Sequence, residues 1–134
     1  MSFDIVSLYT MIPIYEAIDA IKDIIYFDTT LLVRTCLKFT YLSYHGNIYK
    51  EIHGVAMGSP LSPIITNIYM KNFEMKAINF FLITIDEWKR YVNDIFAKWH
   101  HGIEKLHEFL AHLNSLSQHI QFTIEIENNG KLPF

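Results

Sequence analysis

A chain of 134 residues is the size of one domain and can bury one core. Its 51% hydrophobic and 15% aromatic content argue against a disordered chain, and a net charge of −3 argues against a free-standing nucleic-acid binder, which usually carries a basic stripe, though not against an acidic catalytic centre. No apolar run approaches the roughly 18 residues of a membrane helix, no signal peptide is visible, and the single cysteine, Cys36, has no internal disulfide partner.

Residues 2–6 have the character of a short apolar strand interrupted by Asp4. Pro13 suits a first helical turn, and Ile14, Ile18, Ile21 and Ile25 predict an amphipathic helix over 13–27. Asp28 is the expected cap of a second helix to about 39, with Leu32, Cys36 and Phe39 on one side. Thr40 to Tyr44 and Ile48 to Ile52 read as a hairpin turning at Gly46-Asn47. Gly54 and Gly58 bracket a tight bend. Ser62 as N-cap and Pro63 as first residue predict a helix to about 78, apolar on several sides and therefore covered.

Two runs, 87–92 and 95–99, leave Asn93-Asp94 between them as the turn of a tight hairpin. Such a turn can hold a carboxylate at a sheet edge; the same dipeptide also makes an ordinary surface hairpin. Gly102 breaks the chain, and Ile103, Leu106, Leu110, Leu113 and Leu116 mark another amphipathic helix. Ile120, Phe122, Ile124 and Ile126 alternate with polar residues as a half-buried strand, and Asn128-Asn129-Gly130 is an expected turn. This mixed order predicts a two-layer α+β domain over residues 1–134, with helices on one face of an antiparallel sheet.

Phosphoryl transfer requires positioning and charge neutralisation, often by two divalent ions held on carboxylates. Asp4 and Asp94 are the candidate carboxylates, provided that their strands are neighbours. Otherwise both are solvated strand-end residues. The Gly54–Pro63 segment provides close-approach backbone at a helix start, but no Lys-Ser or Lys-Thr follows to make a nucleotide-binding loop. No HExxH or Cys/His set points to zinc, no GxSxG makes Ser59 or Ser62 a nucleophile, and Cys36 reads as a buried small residue.

Three segments carry a more specific signal. Phe3-Asp4-Ile5-Val6-Ser7-Leu8-Tyr9-Thr10, Gly54-Val55-Ala56-Met57-Gly58-Ser59-Pro60-Leu61-Ser62-Pro63 and Arg90-Tyr91-Val92-Asn93-Asp94-Ile95-Phe96 resemble motifs A, B and C of reverse transcriptases, in that order. Within that family they are most similar to the Penelope-like retroelements, which residues 120–134 also resemble. The resemblance implies a polymerase palm and an RNA-directed DNA polymerase activity: two-metal nucleotidyl transfer to a primer 3′-hydroxyl, with two Mg²⁺ ions. RNA template, DNA primer and deoxynucleoside triphosphate are the implied partners, and the nucleus is the implied compartment.

Carried over by resemblance, Asp4 and Asp94 are metal ligands, and Tyr9 is the aromatic that excludes a ribose 2′-hydroxyl. Gly58, Ser59 and Pro60 position template and nucleotide. Met57 stands where many reverse transcriptases have Gln but is familiar in the Penelope-like group. Asn93 departs from the pattern, occupying the position of the first aspartate of the Tyr-x-Asp-Asp box with a ligand that carries no negative charge. Asp4 lies almost at the first residue and Leu132-Pro133-Phe134 is apolar, so both ends read as cut, with fingers and thumb absent. The expectation is a palm fragment inactive by itself; the alternative is a non-catalytic remnant serving at most as a nucleic-acid or protein binding module.

Overall fold

The computed structural model describes residues 1–127, which form two compact units: Met1–Val6 with the chain from Phe73 on, and Ser7–Asn72. The expected turn at Asn128-Asn129-Gly130 lies outside the described residues.

The first unit is a mixed α+β layer pair. Strands Ser2–Ile5 (β1), Glu87–Tyr91 (β4), Asp94–Lys98 (β5) and Phe122–Glu125 (β6) make one antiparallel sheet in the order β4-β5-β1-β6. Alternation explains its two faces. Phe3, Ile5, Ile95, Ala97 and Phe122 are buried on one side, while Asp4, Asp94 and Phe96 belong to the other.

Helix Gly102–Ser115 (α5) covers the apolar face. Its Leu106, Phe109 and Leu113 are buried, and the Phe109 ring lies 6.0 Å from Phe3, 5.8 Å from Trp88 and 5.4 Å from Trp99. Helix Leu61–Phe80 (α4) runs from the second unit into the first, where Phe73 stacks on Phe122 at 5.7 Å. Asn114 accepts from the Phe122 amide at 2.7 Å and donates to its carbonyl at 3.1 Å, so a side chain satisfies both backbone groups of that residue.

Leu8–Met11 (α1), Ile14–Ile21 (α2), Phe27–Lys38 (α3), Tyr41–Tyr44 (β2) and Asn47–Lys50 (β3) belong to the second unit, with the first part of α4. The Tyr69 hydroxyl donates to Glu16 at 3.0 Å and the Asn72 amide to the Ala20 carbonyl at 3.4 Å, tying α4 to α2.

Several expected boundaries move. The helix at Pro13 ends at Ile21, and Ile25 lies beyond it in a turn, its amide bonded back to the Ile21 carbonyl at 3.2 Å. Asp28 does not cap α3, whose N-cap is Tyr26, and Leu32, Cys36 and Phe39 are exposed. The buried pair on α3 is Val33 and Leu37, so Cys36 is not a core residue. The β2–β3 turn is His45-Gly46, whose φ values of 49° and 78° suit a tight hairpin, with Asn47 already in the strand. Ser62 lies inside α4 instead of capping it, its hydroxyl donating to the Ala56 carbonyl at 2.6 Å.

Candidate functional site

The β4–β5 hairpin turns one residue earlier than its Asn-Asp dipeptide suggests. Tyr91 pairs with Asp94, so Val92 and Asn93 are the turn, and Asp94 opens β5. Val92 takes the positive φ, 57°, which a β-branched side chain rarely adopts. Arg90 holds this turn by donating to the Val92 carbonyl at 3.2 Å.

The consequence is set by register. Asp4 on β1 stands directly opposite Asp94 on β5. Directly opposed residues share a face with their Cβ atoms about 4.5–5.5 Å apart, and like charges there repel. Asn93 fastens the same place twice: its carbonyl accepts from the Ile5 amide at 3.0 Å, and its side-chain Nδ2 donates to Asp4 Oδ1 at 2.7 Å. Asp4 and Asn93 are half-buried and Asp94 is exposed. The structure thus brings together Asp4, Asn93 and Asp94.

The residues present do not fit the pair of divalent ions that the resemblance implies. The Asn93 atom turned to Asp4 is an amide nitrogen, a donor that does not ligate a cation, and it occupies one of the two Asp4 carboxylate oxygens. Among the described residues, no group of three or more His, Cys, Asp or Glu is placed to hold a metal ion.

Tyr9, Gly58, Ser59 and Pro60 lie in the second unit. Tyr9, half-buried in α1, accepts at its carbonyl from the Val55 amide at 2.7 Å. Gly54 follows the same contact, with φ +71°; a Cβ there would run into the Tyr9 and Thr10 carbonyls. The close approach that this glycine permits is therefore to the chain's own backbone. Gly58, at φ +92°, has open space around it, and the Ser59 hydroxyl accepts from the Leu61 amide at 3.4 Å at the start of α4.

Arg90 does not stand out in the sequence as a functional residue, yet it organises the hairpin. Besides the Val92 carbonyl it contacts Glu74 on α4, Nε to Oε1 at 2.7 Å, with both side chains almost fully buried. Burial pushes the Glu74 carboxyl above its ordinary range, while the Arg90 guanidinium pulls the other way. Nothing local in the sequence marks this pair, since Arg90 is one of three charged residues in Glu87-Trp88-Lys89-Arg90-Tyr91. Neither the models of known protein families nor the curated proteins contain a match to this chain.

Proposed function

We propose that the chain is a reverse-transcriptase palm by descent, which keeps the carboxylate layout of an RNA-directed DNA polymerase without its nucleotidyl transfer. The register of Asp4 against Asp94, with Asn93 in the adjoining turn, carries this reading. Two carboxylates brought to facing positions on neighbouring strands are of the kind that would hold the divalent ions used in phosphoryl transfer. The contact between the Tyr9–Thr10 backbone and the Gly54–Val55 segment supports it, because those segments are the ones that resemble motifs A and B. An active relative would take RNA template, DNA primer and deoxynucleoside triphosphate, in the nucleus.

A second reading, a non-catalytic remnant that binds nucleic acid or protein, is favoured by the Asn93–Asp4 hydrogen bond. The net charge of −3 offers little counterion release to a nucleic-acid partner, so a protein partner suits this second reading better.

Primer extension on an RNA template with Mg²⁺ tests the first reading. The 134-residue chain and its Asn93→Asp variant are each assayed alone and joined to the fingers and thumb of an active reverse transcriptase. Extension is expected only from the joined Asn93→Asp protein, because charge at residue 93 and in-line positioning are both needed. Failure of that protein to extend would sink the palm reading. Synthesis by the unmodified chain would show that Asn93 supports catalysis.

A further inference from the structure

We infer that the Asn93 amide does for Asp4 what a cation does in a carboxylate-lined centre: it satisfies the carboxylate, so that the sheet forms without a divalent ion. The inference draws on the palm reading only for the expectation of a cation; the hydrogen bond itself is independent of descent. Asp4 and Asp94 are opposed across β1 and β5, an arrangement that costs stability unless something offsets the repulsion. Nδ2 of Asn93 supplies a donor to Asp4 Oδ1 at 2.7 Å, in the range of a charge-assisted hydrogen bond. Arg90 is committed to Glu74 and the Val92 carbonyl.

The geometry also says what an aspartate at position 93 would do. Its carboxylate would replace a donor with a second acceptor at hydrogen-bond distance from Asp4, beside Asp94. Three carboxylates would then crowd the ends of two strands and the turn between β4 and β5, and a cation or a proton would be needed to relieve them. One substitution should therefore convert a cation-indifferent fold into a cation-dependent one.

Both tryptophans, Trp88 and Trp99, lie in the unit that holds Asp4 and Asn93, so thermal unfolding followed by tryptophan fluorescence reads the relevant unit. The full chain and its Asn93→Ala, Asn93→Asp and Asp4→Asn/Asn93→Asp variants are melted in EDTA, in Mg²⁺ and in Mn²⁺. The unmodified chain should show one Tm in all three. Asn93→Ala should melt about 4–8 °C lower, equally in all three, because it loses the donor without adding charge. Asn93→Asp should melt lower in EDTA and recover in Mn²⁺, with a Mn²⁺ affinity at least about tenfold tighter than that of the unmodified chain. The double variant should lose that response. If Asn93→Asp does not fold in EDTA, refolding it with Mn²⁺ present reads the same dependence.

A cation-dependent rise in the Tm of the unmodified chain would overturn the inference and leave the palm reading standing. An Asn93→Asp protein indifferent to Mn²⁺, or an Asn93→Ala protein as stable as the unmodified chain, would also overturn it. Conversely, a cation-responsive Asn93→Asp chain whose joined form fails to extend a primer would uphold the inference and remove the palm reading.

Discussion

Arg90 and Glu74 show how a mostly buried charge pair can hold the turn at the end of a hairpin. Arg90 reaches α4 with one nitrogen and the Val92 carbonyl with another, at a residue whose φ of 57° is strained for valine. Such a pair has a pH signature. The folded-state value of Glu74 is raised above its ordinary 4.5, so the folded protein holds this proton more tightly than the unfolded chain. The contribution of Glu74 to stability is therefore full below about 4.5 and is lost as pH rises through the raised value. Glu74→Gln removes the titration. The unfolding free energy of the native chain, less that of Glu74→Gln, should be flat at low pH and fall as pH rises through that window. Urea titrations at a series of pH values measure it; a difference that rises with pH would reverse the assignment of burial as the dominant cause.

At the scale of elements, α5 shows where periodicity succeeds and where it stops. Its apolar spacing correctly identifies a helix with Leu106 and Leu113 inside, but Ile103 is exposed. The centre of the packing is instead Phe109, fully buried, with Phe81, Trp88 and Trp99 rings 5.0, 5.8 and 5.4 Å away. Phe109 stands three residues after Leu106 and four before Leu113, so the helical period itself marks it as core, more closely than it marks Leu110. Phe109→Ala should cost about 3–5 kcal/mol, measured by urea unfolding, because surrounding rings relax only partly into the space. A loss below about 1 kcal/mol would mean that the cluster repacks freely. The hairpin was legible as two strands, yet its turn was misplaced by one residue. Asn-Asp is the stronger turn signal locally, but pairing Tyr91 with Asp94 puts Ile95 and Ala97 on the buried face. Face selection outweighed the local preference of valine against positive φ.

For the whole molecule, alternation and amphipathic spacing gave the mixed class and most elements, since both are local records of burial. The placement of Asp4 against Asp94 was legible only as a condition on strand neighbours, because register is a long-range property. The Asn93 amide contact and the Arg90–Glu74 pair were not legible, since each joins residues whose proximity the fold creates. β1 shows most plainly what this long-range assembly entails. It lies between β5 and β6, and the Asn93–Asp4 bond spans 89 residues of chain. Closing so long a loop before any ladder forms makes the sheet slower to assemble than the local helices. Stopped-flow refolding should therefore show tryptophan fluorescence from Trp88 and Trp99 recovering after the helical circular dichroism signal, on a millisecond-to-second scale. Simultaneous recovery would contradict it. On a ribosome the same topology becomes a waiting time. At about 5–20 residues per second, Phe3 and Ile5 would emerge roughly 4–18 seconds before the strand that β1 pairs with at Asp94. During that interval the nascent chain carries β1 as an unpaired apolar strand, a natural target for holdase chaperones.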